Sequence, residues 1–165
     1  MPEPVPRLTL VLGGARSGKS AVAERLATTL PPPVTYIATG EVTDDDMAAR
    51  IAAHQARRPD AWATREAGAD LAGALIAVDG AALVDSLGTW VAAHDDLAID
   101  LHALLEALKR RAASTVIVSE EVGLGVHPSS EAGRRFRDVL GEVNTAVAAV
   151  ADDVLLVVAG RVLAL

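Results

Sequence analysis

The run Gly13-Gly14-Ala15-Arg16-Ser17-Gly18-Lys19-Ser20 has the residue types and spacing with which a backbone wraps a polyphosphate. An apolar stretch, Leu8–Leu12, precedes it, and a helical pattern begins at Ala21. Gly13, Gly14 and Gly18 allow conformations that a Cβ would forbid, so the N–H groups of the loop can turn inward on an anion. The positive end of the helix entered at Gly18–Ser20 faces the same charge. Lys19 can reach the β- and γ-phosphate oxygens, and the Ser20 hydroxyl can ligate magnesium. The plainer alternative is a glycine-rich turn that holds nothing. With Lys-Ser in register and both flanks correct, the stretch implies nucleotide binding.

Acids that follow apolar strands are the next candidates, because ligands of open α/β sheets bind outside the carboxyl ends of the strands. Asp85, in Leu83-Val84-Asp85-Ser86, is placed to help hold magnesium; otherwise it is a solvated turn residue. Glu120 and Glu121 compete for that role or for a substrate-facing one, or else mark a solvated edge.

Met47–Glu66 is the second informative stretch. As a helix it puts Met47, Ile51 and His54 on one face, with Arg50 one turn before His54. A histidine there reads either as a core residue or as a catalytic one. Arg57, Arg58 and Arg65 form a solvated basic face or meet phosphates held by the loop, since guanidinium matches phosphate geometry. His94, His102 and His127 have no comparable surroundings. Absence of cysteine and of a close histidine pair points away from zinc.

The elements that must position these residues alternate. Strands are expected at Leu8–Leu12, Val34–Ala38, Ala81–Val84, Thr115–Ser119, Val154–Ala159 and Val162–Leu165, with a short one at Trp62–Arg65. Helices are expected over Ser20–Leu30, from a Thr43/Asp46 capping box to Arg57, at Leu71–Ile76, near Trp90, over Leu97–Arg111 and from Pro128 to Val150. Short all-apolar strands between helices imply an α/β fold whose parallel sheet is covered on both faces. A length of 165 residues fits one domain, 1–165. With one Phe, one Tyr and two Trp, the core must be aliphatic. The net charge of −7 argues against nucleic acid as a partner. No apolar run approaches the ~20 residues that span a bilayer. Met1–Pro6 has no apolar core of a signal peptide. Lack of cysteine fits the cytoplasm.

Several motifs together resemble one enzyme family. They are the glycine loop, Tyr36-Ile37-Ala38-Thr39, Met47-Ala48-Ala49-Arg50-Ile51 followed by His54, and Arg58-Pro59 then Trp62. Further along come Glu121-Val122-Gly123-Leu124-Gly125 with Pro128, Arg135-Phe136-Arg137-Asp138 with Gly141 and Asn144, and Leu156-Val157-Val158-Ala159-Gly160. In order and over essentially the whole chain, they are similar to the bifunctional adenosylcobinamide kinase/adenosylcobinamide-phosphate guanylyltransferases of cobalamin biosynthesis.

The resemblance implies a P-loop, RecA-like, mostly parallel sheet with helices on both faces, in subunits that form trimers. It implies two reactions: phosphorylation of the aminopropanol hydroxyl of adenosylcobinamide by GTP or ATP, then transfer of GMP from GTP to that phosphate. The products are adenosylcobinamide-GDP and pyrophosphate. The family's histidine that carries GMP as a phosphoramidate falls on His54, and covalent relay divides one difficult transfer in two. The family's nucleotide contacts fall on Gly13–Ser20 (Gly13, Gly14, Ala15, Arg16, Ser17, Gly18, Lys19, Ser20), on Ala38, Thr39 and Gly40, on Gln55, Ala56, Arg57 and Arg58, and on Glu66 and Asp85. Ser20 and Asp85 would hold Mg2+. The kinase base is open among Glu120, Glu121 and Asp85.

The chain departs from the family pattern in four places. Glu120 stands where Asn is usual before Glu-Val-Gly, and His127 where an aliphatic residue precedes Pro128. The Glu66–Ala81 segment is short, and the usual terminal Lys is missing. These bear on fine specificity. The alternatives are a P-loop kinase of another small metabolite, which would have no role for His54, and a non-catalytic GTP-binding module, which would bind nucleotide with negligible turnover.

Overall fold

The computed structural model of the protein describes residues 5–40 and 45–165, with Asp46, Met47, Arg50, Ile51 and His54 described in their backbone only. Seven strands form one sheet: β1 (Leu8–Gly13), β2 (Val34–Ala38), β3 (Ala63–Glu66), β4 (Ala81–Asp85), β5 (Thr115–Glu120), β6 (Asp153–Val158) and β7 (Arg161–Ala164). Their spatial order is β3-β2-β4-β5-β1-β6-β7. Every pairing is parallel except β6 with β7, which pair antiparallel through the turn at Ala159 and Gly160. Ala159, expected within the last long strand, takes a positive φ in that turn.

The helices are α1 (Lys19–Ala27), α2 (Asp45–Arg57), α3 (Leu71–Ile76), α4 (Leu87–Ala92), α5 (Leu101–Arg110) and α6 (Glu131–Val150). Three boundaries differ from the periodicity by three residues or more. The first helix stops at Ala27 rather than Leu30, where the Thr28 and Thr29 hydroxyls donate to the carbonyls of Arg25 and Leu26 at 2.6 and 2.7 Å. Such bonds offer the backbone an alternative to further helix. α5 begins after Asp100, whose carboxylate accepts from the Ala103 N–H at 2.9 Å, so Leu97 falls in a separate 3-10 turn. α6 begins after Ser130, which caps the Gly133 N–H, and not at Pro128. The Thr43 half of the expected capping box lies outside the described residues.

Alternation along the strands sorts the core onto two faces. Leu10, Leu12, Ile37, Val84 and Ile117 point to one, where they meet buried residues of α3, α4, α5 and α6. Val11, Tyr36, Leu83, Val116 and Val118 point to the other, under Val22, Ala23 and Ala27 of α1. Leu83 is fully buried in the central strand β4. Leu83→Ala should therefore cost about 2–5 kcal/mol through lost burial and a residual cavity. Urea titration would show a lower midpoint at unchanged slope.

Because all strands but β7 run the same way, the carboxyl ends of β1, β2, β4 and β5 meet at one edge of the sheet. Their last residues are Gly13, Ala38, Asp85 and Glu120. The register sets Gly13 beside Glu120 and Ala38 beside Asp85.

Candidate active site

The loop between β1 and α1 is built by its glycines. A Cβ on Gly13 would collide with Ser17 Oγ and lie 2.9 Å from the Val157 carbonyl. Gly18 has φ +92°, a left-handed conformation that costs a side chain energy, and caps α1. The loop turns through a Ser17 N–H to Gly14 carbonyl bond of 3.3 Å. It is braced from outside by the Gly160 N–H, which donates to the Ser17 carbonyl at 2.7 Å. Ser17 is buried, Ala15 and Arg16 are exposed, and Ser20 is half-buried in the first turn of α1. Lys19 is only 8% exposed; its Nζ lies 3.4 Å from the Gly14 carbonyl oxygen and 3.9 Å from Glu120 Oε1. The ammonium thus sits against a loop carbonyl and opposite a strand-end carboxylate, at the N-terminal end of α1.

The acids expected at strand ends are there. Asp85 closes β4, and its Oδ2 accepts from the Tyr36 hydroxyl at 3.3 Å. Burial, and then the nearby Asp85 charge, push the Tyr36 phenol well above its ordinary range, so it stays a donor. Glu120 closes β5, between β1 and β4; Ser86 Oγ and the Gly88 N–H donate to its carboxylate. Glu121 is placed by its N–H, which donates to the Gly13 carbonyl at 3.0 Å. Thr39 is almost fully buried, with its hydroxyl bonded to Ser86 and 2.6 Å from Thr89 Oγ1. Ala38 and Gly40 flank it, half-buried, at the end of β2.

The segment after β2 supplies a second wall. Gln55 and Ala56 are exposed on α2. Arg57 donates to both carboxylate oxygens of Glu24 on α1, at 3.0 and 3.3 Å. That bond raises the Arg57 pKa and ties the last turn of α2 to the helix that follows the glycine loop. The Arg58 guanidinium lies over the Tyr36 ring, 3.7 Å from its centroid, a cation–π contact, and also donates to Thr64 Oγ1 at 3.2 Å. Glu66 is exposed at the end of β3, in register with Ala38. His54 belongs to α2, three residues before Arg57; its side chain lies outside the described residues, as do those of Arg50, Met47 and Ile51.

The structure therefore gathers Gly13–Ser20, Ala38–Gly40, Asp85 and Glu120 at one sheet edge, with Arg57 and Arg58 joined to it through Glu24 and Tyr36. Glu24 and Ser86 were not singled out by sequence reading. An acid inside a helix gives no local sign that it will be buried, and Ser86 stands out only once its bond to Glu120 is seen. Among the described residues, no group of three or more His, Asp or Glu could by itself hold a metal ion.

Residues 9–165 match the model of the cobinamide kinase/cobinamide phosphate guanyltransferase family. The chain belongs to this family. It is 40% identical to the bifunctional adenosylcobalamin biosynthesis protein CobU of Salmonella typhimurium, over 93% of this chain and 96% of that protein. It is 42% identical to the corresponding CobP of Pseudomonas aeruginosa, with 92% of each covered. Among solved structures it is similar to a prototypical ATPase of a bacterial type III secretion system, with TM-score 0.56 over 92% of this chain at 9% identity. The chain spans about half the length of that ATPase, and the likeness bears on the fold alone: a P-loop NTPase sheet. As a member of the cobinamide kinase/guanyltransferase family, the chain is an enzyme that uses a nucleotide. No helix among the described residues is long and apolar enough to cross a membrane.

Proposed function

We propose that this enzyme carries out both transfers on one corrinoid, with His54 as the covalent carrier of GMP. The observation that carries the reading is the buried Lys19 ammonium inside the Gly13–Ser20 loop, facing the strand-end carboxylate of Glu120, in a chain matched to the family over almost its whole length.

In the first reaction the aminopropanol hydroxyl of adenosylcobinamide attacks the γ-phosphorus of GTP or ATP. A P–O bond forms, the β–γ bridge breaks, and the hydroxyl proton leaves to a base drawn from Asp85, Glu120 or Glu121. Lys19 and the loop N–H groups neutralise charge that builds on the triphosphate; the protein's share is positioning and electrostatics. Ser20 and Asp85 offer a hydroxyl and a carboxylate, the hard oxygens that suit Mg2+, and a nucleotide-bound ion needs only one or two such ligands. When bound, that ion supplies charge neutralisation between the phosphates.

In the second reaction the neutral imidazole of His54 attacks the α-phosphorus of GTP. An N–P bond forms, the α–β bridge breaks and pyrophosphate leaves. The phosphate of adenosylcobinamide-phosphate then takes GMP from the imidazole, giving adenosylcobinamide-GDP. Arg57 and Arg58, held near the site by Glu24 and Tyr36, are placed to stabilise the charge. Gln55, Ala56, Glu66 and Ala38–Gly40 would complete the nucleotide contacts.

The enzyme works in the cytoplasm as a homo-oligomer, by family resemblance a trimer. Apolar Val158, Val162, Leu163 and Leu165, all exposed at the β7 edge, are consistent with subunit contact. A turnover assay with adenosylcobinamide, GTP and Mg2+ tests the whole reading. Adenosylcobinamide-phosphate should appear first and adenosylcobinamide-GDP after it. Accumulation of the phosphate alone would leave only a kinase; absence of both would reject the substrate.

A further inference from the structure

Beyond its place among the candidate bases of the first reaction, Glu120 has contacts that neither reaction explains. Strand β5 lies between the loop strand β1 and the acid strand β4, and its last residue is Glu120. Its carboxylate is fixed from the β4 side. Ser86 Oγ donates to Oε1 at 2.8 Å and lies 3.1 Å from Oε2; the Gly88 N–H donates to Oε2 at 3.0 Å. A Cβ at Gly88 would overlap this carboxylate where it stands. The backbone is fixed as well: Asn144 Nδ2 donates to the Glu120 carbonyl at 3.0 Å, and Asn144 is itself bonded to Ser119. On the open side, Oε1 faces Lys19 Nζ at 3.9 Å, with the Glu120 side chain 30% exposed and that of Lys19 10% exposed.

An ammonium carries three donors. Inside the loop one meets the Gly14 carbonyl at a long 3.4 Å, and the negative charge opposite it is supplied by Glu120. We propose that Glu120 is a positioning residue for Lys19: it holds the ammonium in the nucleotide-free cradle and yields it to the incoming triphosphate. Nucleotide binding is then an exchange of one anionic partner for another, and its affinity is set partly by what Lys19 leaves behind. Asparagine, the residue usual at this position in the resemblance, has no charge with which to do this. The inference rests on the reading of Gly13–Ser20 as a triphosphate site.

Glu120→Gln separates charge from shape. Its amide oxygen can still accept from Gly88 and Ser86, so the tie to α4 survives. GTP affinity would be measured by calorimetry in EDTA on four proteins: wild type, Glu120→Gln, Lys19→Met and the double variant. Glu120→Gln should bind GTP about three- to tenfold more tightly than wild type, the scale of one partly screened charge contact. In the Lys19→Met background the same change should have less than about half that effect on a logarithmic scale. Unchanged or weaker binding by Glu120→Gln overturns the proposal, and so does an equal gain in both backgrounds, which would be plain repulsion between carboxylate and phosphate. A thermal melt of each variant guards against a folding effect. If wild type fails to bind GTP, or Lys19→Met binds it as well as wild type, the triphosphate reading itself fails and takes this inference with it.

Discussion

Lys19→Ala should lower kinase turnover by about a hundred- to a thousandfold, the usual cost of deleting one preorganised donor that faces developing charge. The side chain is buried in the loop with the Gly14 carbonyl and Glu120 as its neighbours. Fold stability should change little by comparison. Alanine is the better helix former at the start of α1, and the loop keeps its own backbone bonds. Guanylyl transfer should fall too, because both reactions need a held triphosphate. Parallel measurement of kcat for the two products, with melting temperature as the control, checks this. A variant that keeps wild-type rates for either product would remove the loop from that reaction.

The second large effect separates the two activities. His54→Ala should abolish formation of adenosylcobinamide-GDP while adenosylcobinamide-phosphate continues to form at close to the wild-type rate. Loss of a covalent nucleophile costs on the order of a millionfold in a well-studied hydrolase, so a drop of at least about a thousandfold is expected here. The reason for the split is position. His54 belongs to α2, outside the Gly13–Ser20 loop proposed to hold the triphosphate, and the Arg57–Glu24 pair joins the last turn of α2 to α1. The kinase reaction as proposed gives the imidazole no role. If both products vanish together, the histidine helix is part of the triphosphate site and the division of labour is wrong.

Much of this arrangement could be read before any coordinates. Leu8–Leu12, Val34–Ala38, Ala81–Val84 and Thr115–Ser119 are continuous apolar runs, which only a sheet buried on both faces can use, and each became a parallel strand. The loop was legible because every residue in it answers a separate demand: glycine for turning, lysine for charge, serine for a hydroxyl. Helix starts were less legible. Ser130 and Asp100 cap α6 and α5, and a cap announces itself only when its N–H partner is known. The long-range ties were not legible at all. Glu24 to Arg57 spans 33 positions, Ser86 to Glu120 spans 34, and Tyr36 to Asp85 spans 49. Such pairs are created by strand order, which periodicity does not encode. Glu120 shows the limit best, since as a departure from a family pattern it was visible, whereas its contact with Lys19 needed β5 to lie between β1 and β4.

The measurement that bears most directly on the account is covalent labelling. The enzyme, without corrinoid, is incubated with Mg2+ and GTP labelled at the α-phosphate, denatured, and digested for mapping. The account predicts protein-bound label that is labile in acid and stable in base, as a phosphoramidate is, and that maps to the peptide containing His54. Label arising equally from γ-labelled GTP, label on another peptide, or no label from a preparation that makes adenosylcobinamide-GDP would contradict it.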